Sequence, residues 1–175
     1  MPVEPLLRTC QRRALHILHA ASVMALLITG PQAAGKTTVA RLVAQQFERG
    51  VHVEGDAFLR FVVSGRAPMA PDASDEALAQ LQLRYALSHH AATEFERAGF
   101  SVVVEDVVAG PLLADVAPRY ERVVVLFPHE DVVAGRERHA PWVYRLFADE
   151  TPRIGTWIDN SEQTPEQTAA AILGT

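Results

Sequence analysis

The stretch Gly30-Pro-Gln-Ala-Ala-Gly-Lys-Thr-Thr38 restricts this chain more than any other. It fits G-x-x-x-x-G-K-[ST], with Gly30, Gly35, Lys36 and Thr37 in the fixed positions. Each fixed type has a physical task. Gly30 and Gly35 allow positive φ and a close approach of backbone to a bound group. The loop through Pro31, Gln32, Ala33 and Ala34 then presents its N–H groups as an anion-binding nest. Lys36 is a point charge for the β- and γ-phosphates of a nucleotide, and Thr37 offers a hydroxyl to Mg²⁺. Thr38 adds a second hydroxyl at a helix N-terminus, where the macrodipole also favours anions.

The flanks agree with that motif. Val23-Met-Ala-Leu-Leu-Ile-Thr29 is an apolar run of strand length. After the loop, Val39, Leu42, Val43 and Phe47 recur at helical spacing, and Gly50 stops the pattern. Strand, glycine loop and helix is the order that a phosphate-binding loop requires.

The 175 residues fit one domain with a real core. A net charge of −5 without a basic block argues against nucleic acid as a partner. The single Cys10 excludes an internal disulfide and offers no zinc pattern. No apolar run reaches membrane-spanning length. Ala20–Thr29 follows basic residues but runs straight into the loop, with no sensible cleavage point for a signal peptide. The reading is a cytoplasmic protein, monomeric or homodimeric, without a membrane partner.

Ahead of the first strand, Leu6, Leu7, Cys10, Ala14, Ile17 and Leu18 share one helical face. Residues 1–20 are therefore expected to form an amphipathic extension, either a cover for the domain or a partner helix. His16 and His19 share a face but lack further metal ligands.

Val51-His-Val-Glu54 reads as a second strand, ending at Gly55-Asp56. Ligands of open α/β sheets bind outside the carboxyl ends of the strands, which places Asp56 for chemistry. Asp56 also suits the N-cap of a helix over Ala57–Val63, and the two roles are compatible. Arg60 lies one turn further on, and Arg66 lies in the loop that follows; both are candidate substrate contacts. Residues 64–75 are rich in Pro, Ala and Ser and form a long loop, a length typical of substrate loops. Ser74 or Asp75 caps a long helix carrying Leu78, Leu81, Tyr85, Ala92, Phe95 and Glu96 and ending at Gly99. His89 and His90 within it do not share a face, which disfavours a shared metal.

Ser101-Val-Val-Val-Glu105-Asp106 is a buried strand ending in two carboxylates. At least one of them is expected to serve Mg²⁺ or substrate, with Asp106 as the metal candidate; a helix cap is the plainer role. Arg122–Phe127 is the next strand. Arg136, Arg138, Arg145 and Arg153 follow in a segment rich in Trp, Tyr and Pro, suited either to clamping phosphates or to a solvated basic face. Ile154–Asp159 reads as a last strand, and Pro165 opens a closing helix.

The strands are continuous apolar runs, as parallel strands covered on both faces must be. The expected class is α/β, a three-layer fold. In this order, GPQAAGKTTVARLVAQQF, VEGDAF, VVVED, VVVLFPHEDVVAGRERHA and WIDNSEQTPEQT resemble the P-loop small-molecule phosphotransferases. The group is similar to chloramphenicol phosphotransferase and, more distantly, to zeta toxins, gluconate kinase and nucleoside-monophosphate kinases. The resemblance implies a five-stranded parallel sheet in order 2-3-1-4-5, with ATP and Mg²⁺ bound. It implies that Asp56 is the general base for a hydroxyl of a small-molecule acceptor. It also implies that Arg136 opens a lid, here short and placed at 136–152. ATP·Mg²⁺ is expected at Gly30–Thr38 with its adenine near Asn160–Thr164, and Thr164 among the nucleotide contacts.

The chain departs from other nucleotide-binding classes. It has no N-K-x-D, and Asp106 to Gly110 is one residue too long for D-x-x-G, so a GTPase is disfavoured. Two alternatives to a small-molecule kinase stay open: an ATP-hydrolysing regulator acting through a protein partner, and a toxin-like nucleotide-sugar kinase.

Overall fold

Three of the five strands are apolar at every central position, and the sheet is built on them. In the computed structural model, which describes residues 23–136 and 140–174, β1 (Ala25–Thr29) and β3 (Ser101–Glu105) are buried throughout. β4 (Arg122–Leu126) is buried after its first residue. β2 (Gly50–Glu54) and β5 (Thr156–Ile158) are the less buried edges. The order is β2-β3-β1-β4-β5, every pairing parallel. This is the sheet expected from the sequence.

Alternation explains why the strands read as unbroken apolar runs. Successive side chains point to opposite faces. Ala25, Leu27, Val102, Val104, Val123 and Val125 pack on one side, against the helix α3 (Asp75–Arg97). Leu26, Ile28, Val103, Val124 and Leu126 pack on the other, against α1 (Lys36–Ala44) and a C-terminal helix over Pro165–Gly174. Leu26, Leu27 and Ile28 are each at most 1% exposed. Burial of such side chains stabilises by roughly 1.5–3 kcal/mol apiece, which fixes the strand that leads into the Gly30–Thr38 loop.

Local signals set the ends of elements. Ser74 caps α3 by accepting a hydrogen bond from the Ala77 N–H at 3.2 Å. α1 stops at Ala44, sooner than Gly50 suggested. Gly50 instead begins β2, where a Cβ would meet the Ala44 carbonyl at 1.8 Å. The helix α2 after β2 covers Asp56–Arg60 and ends short of Val63.

Further along the chain come α4 (Leu112–Val116), α5 (Glu130–Ala134) and α6 (Pro141–Arg145). The Pro165–Gly174 helix is α7. The segment expected as a lid is anchored: Val143 is 3% exposed and Phe147 fully buried in the α3-side core. The expected 1–20 extension and Arg138 lie outside the described residues. Among the described residues, no helix is long and apolar enough to cross a membrane.

Candidate active site

The parallel register brings the carboxyl ends of β1, β2 and β3 together. Ile28 and Glu54 both sit opposite Glu105. The Gly55 N–H donates to the Glu105 carbonyl at 2.9 Å, and the Asp106 N–H donates to the Ile28 carbonyl at 3.2 Å. The loops after these strands therefore converge on one crevice, as open parallel sheets require of a binding site.

The first wall is Gly30 to Thr38. Gly30 has φ +146°, and a Cβ there would come within 2.1 Å of the Leu126 carbonyl oxygen. Gly35 has φ +89° and precedes α1. Ala33 has φ +66°, an uncommon conformation for a residue with a Cβ. α1 has no side-chain cap and no acidic residue in its first turn. Its orphan N–H groups and its positive dipole end are left for an anion.

Lys36 is 8% exposed, and its Nζ donates to the Pro31 carbonyl at 2.9 Å. Burial lowers its pKa, while Glu105, Asp106 and Asp56 act in the opposite direction. These three carboxylates thus line the same cavity as one buried ammonium.

Glu105 and Asp106 are chain neighbours with different partners. Thr37 Oγ1 donates to Glu105 Oε1 at 3.0 Å. Burial raises the Glu105 pKa, opposed by Lys36 and the Thr37 hydrogen bond. Asp106 turns instead toward α3. Its Oδ1 accepts from Arg84 Nη2 at 2.7 Å and from the Val107 N–H at 2.7 Å. Burial pushes its pKa up to about 7, against the pull of Arg84. Gly55 makes room for that carboxylate, since a Cβ there would lie 2.1 Å from Asp106 Oδ2. Arg84 Nη1 donates to Asp56 Oδ1 at 3.0 Å, so one guanidinium joins Asp56 to Asp106.

Nothing in the sequence reading singled out Arg84. The usable signal was its place on the Leu81–Tyr85–Ser88–Ala92 face of α3, which is buried. Thr29 also has an unforeseen role. Its Oγ1 accepts from the Val108 N–H at 2.9 Å, and Tyr85 donates to the Val107 carbonyl at 2.6 Å. These two bonds hold the loop after β3 against β1 and α3.

The remaining expected residues divide. Arg136 Nη1 donates to the Ala33 carbonyl, so this arginine reaches the phosphate loop from beyond α5. Asn160 Nδ2 donates to the Ala34 carbonyl at 3.1 Å. Thr164 accepts from the Gln167 N–H at 3.2 Å as the cap of α7. Arg60 pairs with Glu54 at 3.3 Å on the exposed rim, and Arg66 is exposed. Arg153 stacks over Trp157 with its guanidinium carbon 4.0 Å from the ring centroid, a structural use of its charge.

Two adjoining cavities result. One, of about 220 Å³, is lined by the loop from Gln32 to Thr38 together with Glu54, Asp56, Glu105 and Asp106. The other, of about 460 Å³, lies between the 64–75 loop, α3 and α6. Gln32, Asp56 and Val107 line both. Among the described residues no cluster of three His, Cys, Asp or Glu has the arrangement of a metal cage. Thr37 and Glu105, as paired oxygen donors beside an anion nest, fit the one or two protein ligands that Mg²⁺ takes when phosphates complete its shell.

No family model matches the chain, and no curated protein matches it. Solved structures do. A sugar kinase from Janibacter sp. HTCC2649 is 19% identical with a TM-score of 0.63, covering 87% of this chain and 93% of its own. The APS kinase CysC of Mycobacterium tuberculosis, in complex with AMPPNP and APS, is 15% identical with a TM-score of 0.62, covering 87% and 96%. The tunicamycin resistance protein of Deinococcus radiodurans is 16% identical with a TM-score of 0.61, covering 87% and 94%. At such identities the likeness is one of architecture: the chain has the P-loop kinase fold, with five parallel strands in the order 2-3-1-4-5.

Proposed function

We propose that the protein is a kinase that uses ATP and Mg²⁺ to phosphorylate a hydroxyl of a small molecule. One observation carries the reading: Asp56 stands in the wall shared by a phosphate-loop cavity and a second, larger cavity. A donor nucleotide and an acceptor are then in contact at one carboxylate. The structural neighbour complexed with AMPPNP and APS supports a nucleotide at the first cavity. The likeness to chloramphenicol phosphotransferase belongs to the same proposal, as does the assignment of the chain to a single domain.

In this reading the loop N–H groups and the N-terminus of α1 hold the β- and γ-phosphates. Lys36 exchanges its bond to the Pro31 carbonyl for phosphate oxygens. Thr37 and Glu105 hold Mg²⁺, which supplies charge neutralisation on the transferred group. This moves the metal role from Asp106 to its neighbour, because Asp106 is engaged by Arg84. Arg84 fixes Asp56 through Oδ1 and leaves Oδ2 for the acceptor. Asp56 takes the hydroxyl proton as the acceptor oxygen bonds to the γ-phosphorus. The bond from that phosphorus to the bridging oxygen breaks, and its electron pair leaves with ADP. Arg136 is placed to neutralise charge on the phosphoryl oxygens. The base of the nucleotide lies toward Asn160–Thr164.

Calorimetric titration of Mg·AMPPNP tests the donor half. Lys36→Ala removes a charge-assisted contact of about 1.5–3 kcal/mol, and equal affinity in both proteins would count against the reading. Acceptor-dependent ADP release across hydroxylated metabolites tests the other half. Asp56→Asn keeps the shape and loses the base, so release falls by ~10²–10⁴-fold while AMPPNP affinity holds. Near wild-type turnover in that variant would remove Asp56 from the mechanism.

A further inference from the structure

The geometry points to an acceptor that is an uncharged alcohol with an apolar body, its hydroxyl at Asp56 and its hydrocarbon in the second cavity. This inference rests on the kinase reading for the direction of the hydroxyl. It does not rest on that reading for the chemistry of the body.

That chemistry follows from what lines the cavity. Met69 and Leu78 come from one side, Leu81 and Tyr85 from the floor, and Trp142 and Leu146 from α6 and the turn after it. Its volume of about 460 Å³ lies in the range of sites for drug-sized ligands, which are mostly apolar with a few placed polar groups. Among the described residues, its only charged lining groups are Asp56 and Arg84.

Arg84 is already held by two anions, Asp56 and Asp106, through its terminal nitrogens, and its side chain is 8% exposed. Exposed arginines nearby are also outside this lining: Arg60 is paired to Glu54, neither it nor Arg66 reaches the cavity, and Arg145 lines a neighbouring cavity that shares Pro71, Trp142 and Leu146 with this one. Inside this cavity a carboxylate or phosphate on the acceptor body would lose its water, find no free cation among the described lining residues and face the charge of Asp56. Burial of a charge on those terms is strongly unfavourable.

A polyol meets a milder form of the same difficulty. Most of its hydroxyls would lie against Leu81, Leu146 and Trp142 without partners. Of the polar side chains in the lining, Gln82 lines the second cavity alone, and Gln32 and Asp56 belong to the shared wall. The Gln32 amide oxygen is buried there with no hydrogen-bond partner, so it can accept from one further donor close to the reacting hydroxyl.

The test uses the full chain, saturated with Mg·AMPPNP, and two matched probes. 2-Naphthylmethanol is uncharged; 6-(hydroxymethyl)-2-naphthoate has the same ring and hydroxyl with an added carboxylate. Glucose is the polyol control. Calorimetry should show 2-naphthylmethanol binding tighter than the naphthoate by about tenfold or more, since the anion has no partner. Glucose should show no heat above dilution.

Leu78→Arg places a cation at the mouth, at a position 41% exposed in the wild type and therefore safe for folding. It should narrow or invert the preference. The inference falls if the naphthoate or glucose binds as well as 2-naphthylmethanol. It falls if 2-naphthylmethanol does not bind at all, or if Leu78→Arg leaves the ratio unchanged.

With ATP in place of AMPPNP, ³¹P spectra separate the two claims. Selective binding of 2-naphthylmethanol without transfer to any hydroxyl would overturn the kinase reading and leave the apolar site standing. Transfer to glucose or the naphthoate in preference to 2-naphthylmethanol would keep the kinase and overturn the apolar acceptor.

Discussion

On one side of Asp56 the molecule offers charge and backbone; on the other it offers hydrocarbon. The smaller cavity is made chiefly by one continuous stretch, Gln32 to Thr38, with carboxylates behind it. The larger is assembled from separate segments: the 69–73 part of a loop, one face of α3, the 107–112 loop and α6. Under the proposed kinase reading, the difference teaches how the two halves of such a site would be specified. A phosphate is the same in every nucleotide, so one rigid loop anchored by a buried strand suffices. An acceptor is read by shape and polarity, which any of several loops can alter without disturbing the sheet.

The largest expected effect tests the wall between the two halves. Arg84 is the buried cation that joins Asp56 to Asp106. Arg84→Met leaves Asp106 without its guanidinium, and breaking such a buried pair costs about 3–5 kcal/mol. The loss depends on pH. With Arg84 present, burial already raises Asp106 from 3.8 to about 7. Without Arg84 it rises further. A carboxyl raised in the folded state contributes stability that is fully present below the unfolded value and is lost as pH rises through the folded one. The deficit of Arg84→Met, read from urea midpoints, should therefore be smallest near pH 4 and grow as the pH rises through 7. A deficit independent of pH would mean that packing of the Arg84 stem, not the ion pair, holds the wall.

A smaller effect separates the two adjacent carboxylates. Glu105 faces Thr37 and Asp106 faces Arg84. Glu105→Gln should raise the Mg²⁺ concentration needed for half-maximal nucleotide binding by roughly 10–100-fold, the usual cost of losing a group that supports a metal. Asp106→Asn should leave that concentration unchanged while lowering stability. The reverse pattern would return the metal to Asp106.

These residues also mark what a sequence can disclose. The sheet was legible because both faces of its central strands are covered, so Leu26–Ile28 and Val102–Val104 stay apolar without alternation. The turn from β1 through Gly30 and Gly35 into α1 was legible because its residues are consecutive. The α3 face was only partly so. Leu78 and Phe95, two of the residues whose spacing marks the helix, are 41% and 40% exposed, while Arg84 and Ser88 are buried. Apolarity marks a core face only where polar residues on it are not paired, and the partners of Arg84 lie 28 and 22 residues away. The second cavity was not legible, although the 64–75 loop was expected near substrate. Segments 69–73 and 142–146 meet only through the fold, and the second was expected as a lid rather than a wall. The arginine segment behaved similarly: nothing in its spacing distinguishes Arg136, which reaches Ala33, from Arg153, which stacks on Trp157.

The smallest expected effect lies in the phosphate half and has no counterpart in the acceptor half. Ala33 holds φ +66° in the loop, the one non-glycine residue with positive φ among those described. For an L-residue that conformation costs about 1–2 kcal/mol. Ala33→Gly removes that cost but gives the unfolded chain more freedom, worth about 0.4–1 kcal/mol in the other direction. The first effect is the larger, so the variant should be more stable by up to roughly 1 kcal/mol, an increase readable in the urea midpoint. Nucleotide affinity should move the opposite way. With glycine the unliganded loop samples more conformations, and some of the ordering cost falls on binding. Mg·AMPPNP affinity should drop a few-fold while 2-naphthylmethanol, bound on the other side of Asp56, is unaffected. If Ala33→Gly instead lowers stability, the strain at Ala33 is offset by contacts of its methyl group. If it weakens both ligands together, the two cavities are coupled through Gln32, whose side chain lines each of them.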